Sequence, residues 1–328
     1  MLSKVERLQR SLSSDPVDRP AYSFWTHFPE IDLDPPALVA ATVELARALD
    51  LDFVKAMPNG LYAVEDWGVV ASYDAIKLGG VAEVVRPAVE EPEDWRRLRR
   101  LDPKEGALGR ELQHLSRLVA ALGPGLPVIA TTFSPLTIAK KLGEAACRQH
   151  MQSHPGLVLD ALSEIAATVA AFSREAIRAG CAGVFFAVQE ATRKAGDANY
   201  DRFGEPFDLV ALAGAADGWF NVVHMHGDDI LFNVLARYPV AALNWHVGET
   251  APSIAEYRES GGRKPVVGGM RRMAITGRDR TAIDADIAAA LSGDGRGVIL
   301  SPGCVIRHPV DIGLLTEIAG GIRALARS

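Results

Sequence analysis

From Val128 onward the chain repeats one unit, a short apolar run, a turn and an amphipathic stretch at helical spacing. The runs are Val128-Ile-Ala-Thr-Thr-Phe133, Val184-Phe-Phe-Ala-Val188, Phe220-Asn-Val-Val-His-Met-His226, Val240-Ala-Ala-Leu-Asn-Trp-His246, Pro265-Val-Val-Gly-Gly-Met270 and Gly297-Val-Ile-Leu-Ser301. Strands and helices joined by short connections are the signature of a parallel sheet. Upstream, Asp52-Phe-Val-Lys-Ala-Met57 adds a seventh strand, and either the aromatic Ala21 to Phe28 segment or the Val81 to Val85 piece supplies an eighth. A dinucleotide-binding open sheet would carry Gly-x-Gly-x-x-Gly after an early strand, and the glycines at 60, 79 and 80 do not fit it. The expected fold is therefore α/β, a (β/α)8 TIM barrel.

Other helices are marked by their starts. Asp34-Pro-Pro36 opens one over Ala37 to Leu49, and amphipathic helices are expected over Glu90 to Leu101, Lys104 to Leu122 and about Gly156 to Ala179. In the centre of the repeat, Gly227 ends the strand Phe220 to His226, and Asp228 or Asp229 is placed to cap a helix from Ile230 to Arg237. A last helix is expected over about Val310 to Leu325.

With 328 residues, 48% of them hydrophobic, and a formal charge of −6, the chain suits one large barrel domain, residues 1–328. No run reads as the roughly 20 apolar residues of a membrane helix, and charges at Lys4, Glu6 and Arg7 occupy the place of a signal peptide's apolar core. A cytoplasmic protein without a membrane partner is expected. The acidic balance and scattered arginines argue against a nucleic-acid surface. Three cysteines, Cys147, Cys181 and Cys304, suggest free thiols in a reducing compartment.

In a barrel the C-terminal strand ends converge on one mouth. Period two puts His224 and His226 on one face of their strand, at that end. Two imidazoles with the thiolate of Cys304 and one open position make a catalytic zinc site; the bland reading is hydrogen-bonded core histidines and a buried thiol. His246, after Trp245, is a catalytic candidate as a substrate contact or a donor supporting the site from behind, or else caps a loop. Gln189 and Trp245, at other strand ends, are candidate substrate contacts. Arg271 and Arg272 either clamp an anion or stand in solvent. Glu65 and Asp66, beside Trp67, are acid and base candidates or simply loop residues. Neither the Gly-x-Ser-x-Gly elbow nor a P-loop occurs.

The succession Val222-Val-His-Met-His-Gly227, Ala242-Leu-Asn-Trp245, Pro265-Val-Val-Gly-Gly269 and Gly297-Val-Ile-Leu-Ser-Pro-Gly-Cys304, with Arg19-Pro-Ala-Tyr-Ser-Phe24 as opening strand, resembles the uroporphyrinogen decarboxylase superfamily. The resemblance implies a single barrel with an N-terminal helical extension, taken here as residues 1–50. True decarboxylases carry arginines just after the opening strand, where this chain has Trp25-Thr-His-Phe-Pro-Glu30, and a histidine where it has Cys304. The cobalamin-dependent methyltransferase branch instead binds zinc through His-x-Cys and a distant cysteine. His224 and Cys304 match that pattern and His226 replaces the middle cysteine. The resemblance implies zinc-dependent methyl transfer from a methyl-corrinoid to a thiol or similar small-molecule acceptor. The chain lacks a corrinoid-binding Asp-x-His-x-x-Gly motif, so a partner corrinoid protein is expected to deliver the donor. Uroporphyrinogen decarboxylation and a non-catalytic ligand-binding barrel are the alternatives.

Overall fold

The computed structural model describes residues 1–325, so the last three positions of the expected 1–328 domain lie outside the described residues. Eight parallel strands form one strongly curled sheet. They are β1 (Ala21–Tyr22), β2 (Val54–Lys55), β3 (Val128–Phe133), β4 (Gly183–Val188), β5 (Val222–Met225), β6 (Ala242–Trp245), β7 (Val266–Met270) and β8 (Val298–Pro302). Each of β2 to β8 pairs with its neighbour in chain order, and β8 returns to pair with β1. This is the strand order of a TIM barrel.

The remaining seam, between β1 and β2, is held by a reciprocal exchange. The Asp52 amide donates to the Tyr22 carbonyl at 3.0 Å, and the Tyr22 amide donates to the Asp52 carboxylate at 3.0 Å. Ser23 Oγ adds a bond to the Phe53 carbonyl at 2.7 Å. The Asp52 carboxylate is fully buried and also receives Arg7 at 2.7 Å and Arg19 at 2.6 Å and 3.0 Å. Arg7 belongs to the helix Lys4–Leu12, whose start is fixed by a capping box between Ser3 and Glu6. The same helix buries Leu8 in the small apolar cluster that fills the barrel.

That cluster takes one inward residue from, or next to, each strand: Ala21, Phe53, Ile129, Phe185, Val222, Ala242, Val267 and Ile299. Counting on by twos from these residues reaches the mouth. A second, larger cluster lies between the sheet and the surrounding helices. Within it, Pro155–Arg178 is long and apolar enough to cross a membrane by length and composition, which the reading of apolar runs overlooked; 56% of its apolar window is buried, and Val158, Leu162, Ile165 and Phe172 are core residues.

Several expectations need correction. The first strand and the helix Pro35–Ala48 are barrel elements, so the N-terminal extension is shorter than residues 1–50. The Val81 to Val85 piece does not enter the barrel: Glu83–Arg86 pairs antiparallel with Val70–Ser72 in a separate hairpin whose residues are largely exposed. The stretch Glu90 to Leu101 forms only a 3-10 turn, Pro92–Arg97, because Leu98 turns extended. β5 ends at Met225, and Gly227, at φ 108°, turns the chain. The helix after it is a single turn, Phe232–Leu235, without a side-chain cap; Asp229 instead accepts from the Lys194 amide. The sequence reading gives no helix for Pro135–Ser153, which is helical but kinked at Glu144, where φ is 46°; it starts at Ser134, whose hydroxyl caps the Thr137 amide.

Replacing Asp52 by Asn leaves the buried Arg19 guanidinium without its carboxylate and Arg7 with Asp18 alone, at 2.8 Å and 2.9 Å. The variant is expected to lose about 3–5 kcal/mol of unfolding free energy, read as a lower midpoint in urea with an unchanged slope.

Candidate metal centre

The side chains of His224, His226, His246 and Cys304 converge at the C-terminal ends of β5, β6 and β8. Their ligand atoms all lie within 4.8 Å of one another. Period two explains the meeting. His224 and His226 continue the inward face begun by Val222, and His246 continues the one begun by Ala242. Cys304 follows β8, after a Gly303 whose missing side chain lets the backbone pass Trp245 and His246: a Cβ there would sit 2.8 Å from the Trp245 carbonyl.

Each donor has its own restraint. His224 Nδ1 is engaged by Asn244 Oδ1 in a short hydrogen bond, which leaves Nε2 as its ligand atom. Asn244 is held in turn, its amide donating to the Val267 carbonyl at 2.5 Å. A second residue fixing a histidine's orientation from behind is the usual support of a metal ligand. His226 Nδ1 lies 3.8 Å from Cys304 Sγ. A tetrahedral zinc with bonds of 2.0–2.3 Å holds its ligand atoms about 3.5 Å apart, close to that spacing. His246 Nδ1 lies 3.7 Å from Glu249, and its Nε2 is buried with no hydrogen-bond partner. A buried imidazole nitrogen without a partner is costly, and a metal is a partner of the right chemistry.

Burial governs the ionisation of the group. It holds His224 well below the usual histidine range, His226 at about 4 and His246 at about 3. At neutral pH all three imidazoles are uncharged, the form that binds metal. Burial pushes the Cys304 thiol up, and a cation beside it would favour the thiolate. The donor set fits zinc, with soft sulfur and neutral nitrogen donors together.

His224, His226 and Cys304 form part of the wall of a 310 Å³ cavity at the barrel mouth. Gln189 and Arg272 line it as well. The other sequence candidates lie elsewhere. The Asp66 carboxylate accepts from the Ala107 and Leu108 amides at 2.9 Å and 3.2 Å, anchoring the first turn of the helix Gly106–Leu122. Glu65 pairs with Arg110 at 2.7 Å. Arg271 pairs with Asp286 at 2.9 Å. Trp245 is fully buried, its indole donating to the Pro252 carbonyl at 2.8 Å. None of these four lines the cavity.

Sequence reading missed Lys55, His27, Lys141 and Arg307, which line the cavity, and Asn244 behind it. Lys55, Lys141, Arg272 and Arg307 are its cations, and no carboxylate is among the lining residues. Arg272 Nε is buried without a hydrogen-bond partner, its nearest recorded carboxylate, Glu249, standing 3.9 Å away. The parity of the strand carried a signal for Lys55: it shares the inward face with Phe53 and Met57.

Comparison with known proteins gives this geometry a lineage. A methyltransferase from Methanosarcina mazei has a similar structure, with a TM-score of 0.78 at 15% identity over 99% of each chain. A B12-independent methionine synthase from Shewanella sp. W3-18-1, in complex with selenomethionine, gives 0.58 at 14% identity over 94% of each chain. A putative vitamin-B12 independent methionine synthase from Listeria monocytogenes gives 0.59 at 11% identity, over 95% of this chain and 97% of that one. At such identities these likenesses show a shared fold. No curated protein matches the chain by sequence. The family model described as Uroporphyrinogen decarboxylase (URO-D) matches residues 15–317, and the chain belongs to that family.

Proposed function

We propose that this chain is a zinc-dependent methyltransferase that moves a methyl group from a methyl-corrinoid to a thiol or similar small-molecule acceptor. The observation that carries the reading is the convergence of three neutral imidazoles and a thiol on one point in the barrel mouth. His224, His226 and Cys304 would hold the metal, and His246 completes the donor set while no acceptor is bound. Zinc supplies a Lewis acid that keeps an acceptor sulfur in its anionic, nucleophilic form. The chain's own side chains do the rest. Asn244 fixes the ring of His224, Phe185 stacks on that ring at 5.1 Å, and Arg272 and Gln189 face the bound acceptor from the wall. A cavity of 310 Å³ is at the small end of ligand sites and suits an acceptor of modest size. A methyl-corrinoid would be presented at the open end of the cavity by a partner protein.

The cation-lined wall supports a second reading, decarboxylation of a uroporphyrinogen, because Lys55, Lys141, Arg272 and Arg307 would pair with substrate carboxylates. Turnover of uroporphyrinogen by metal-free protein decides for it.

Three measurements test the main reading. Protein purified without chelator is expected to hold about one zinc per chain, and His224→Ala and Cys304→Ser are each expected to lose it together with methyl transfer from methylcobalamin to a thiol. Stoichiometric zinc retained by both variants would overturn the ligand assignment. Asn244→Ala, which keeps all four donors but frees the His224 ring, is expected to weaken zinc about 10–100-fold in a chelator competition. Metal-free protein is expected to lose stability as pH falls from about 6.5 toward 4. The folded state keeps His226 neutral down to about 4 and His246 to about 3, whereas the unfolded chain takes up protons near the ordinary histidine pKa, so acid favours unfolding. Urea midpoints between pH 7 and pH 4, with and without zinc, check this.

A further inference from the structure

The methyl-transfer reading leaves one atom without a destination. A thiol that enters as R–SH and reacts as a thiolate must give up a proton inside a cavity whose lining residues include no carboxylate. His224 and His226 are taken by the metal, and His246, which the acceptor displaces, is not among the cavity's lining residues. Burial holds His27, the other imidazole of the wall, at about 4, so it keeps no added proton at neutral pH. Of the other basic lining groups, the arginines remain charged at all working pH values and cannot accept a proton.

Lys55 stands apart in its surroundings. It ends β2, is 6% exposed, and lines the same cavity as His224, His226 and Cys304. Its ammonium carries no ion pair among the described residues, and its one recorded hydrogen bond is to Met57 Sδ at 2.8 Å, a weak acceptor. The faces of Phe185, at 4.6 Å, and Trp25, at 5.7 Å, complete its shell. The titratable groups that act on it or on which it acts are His27 after β1, Glu111 of the helix Gly106–Leu122, His224 on β5 and Cys304 after β8. Lys141, on the helix Pro135–Ser153, is the other amine of the wall, and it lies over the Phe133 ring at 5.2 Å, on the β3 side of the cavity.

We propose that Lys55 is the base that receives the proton of the methyl acceptor, a role that rests on the methyl-transfer reading above. In this step the acceptor's S–H bond breaks, its electron pair stays on sulfur, and the proton forms a new N–H bond on the free lone pair of Lys55 Nζ. The resulting ammonium stays beside the sulfur anion, so charge is separated by no more than the width of the cavity. When the methylated product leaves, the proton passes to solvent and the amine is restored. Burial brings Lys55 to about 7, with Cys304 and Glu111 acting weakly the other way, so the amine is available at and above neutral pH. A lysine whose ionisation is shifted to near neutrality by an apolar shell is the form in which this side chain serves as a base.

The test counts protons. Zinc-loaded protein is titrated with 2-mercaptoethanol by calorimetry in two buffers of different ionisation heat, at pH 6.0 and pH 8.5. Cobalt-substituted samples report sulfur binding through their absorption. Wild type is expected to release about one proton per thiol bound at pH 6.0, where Lys55 is already charged, and close to none at pH 8.5. Lys55→Met, which keeps the apolar shell, and Lys55→Arg, which keeps the charge but cannot accept a proton, are each expected to release about one at both values. Wild type releasing about one proton at pH 8.5, like both variants, overturns the assignment of Lys55 while leaving the zinc chemistry standing. Protein that holds no zinc, or whose cobalt spectrum does not respond to the thiol, overturns the methyl-transfer reading and with it the role of Lys55.

Discussion

The fully buried carboxylate of Asp52 does two jobs that the rest of the barrel presupposes. It joins β2 to β1 across the one seam that no strand ladder closes, and it receives the guanidinium groups of Arg7 and Arg19 that bring the N-terminal helix beneath the barrel. A buried ion pair is seldom a large net source of stability, because desolvation offsets the attraction. Its value here is positional: an apolar residue at 52 would supply neither the acceptor for the Tyr22 amide nor the two arginine contacts. With the seam joined, the eight strand ends share one mouth, and residues from positions 25 to 307 share one cavity.

That cavity combines two opposed electrostatic features. The histidines are made neutral by burial, and so are prepared for a cation. Lys141, Arg272 and Arg307 on the same wall instead favour an anion, and Lys55 joins them when protonated. A divalent metal beside these cationic side chains would be unfavourable unless thiolate and substrate anions came with it. Under the proposed function the two features would be reconciled, with metal, Cys304 thiolate and an anionic acceptor in the site together. The unpartnered Nε of Arg272 and Nε2 of His246 are two ends of that arrangement, one waiting on the anion side and one on the metal side.

Much of the barrel was legible in the sequence, because its strands are short apolar runs punctuated by glycine and its helices announce their starts. Period two within one strand was enough to pair His224 with His226. Other features depended on contacts between distant segments. Asp66 looked like chemistry beside Trp67, but its carboxylate faces the first turn of a helix about 40 residues later in the chain. Arg271 and Arg272 are adjacent and looked equivalent, yet one turns outward to Asp286 and the other inward to the cavity. A lysine in a strand ordinarily marks an exposed face, and only the inward neighbours Phe53 and Met57 signal that Lys55 points into the barrel. The Val81 to Val85 piece has strand composition, and only the pairing with Val70–Ser72 shows it to be outside the barrel.

The donors also arrive in a fixed temporal order. During synthesis His224, His226 and His246 leave the ribosome together, and Cys304 follows on the last strand, which is also the strand that pairs with β1. A nascent chain therefore presents the three imidazoles before it has Cys304, the fourth member of the group. Only the finished ring brings Cys304 to the three imidazoles, so a choice of ion that depended on sulfur would be made once the fold is complete.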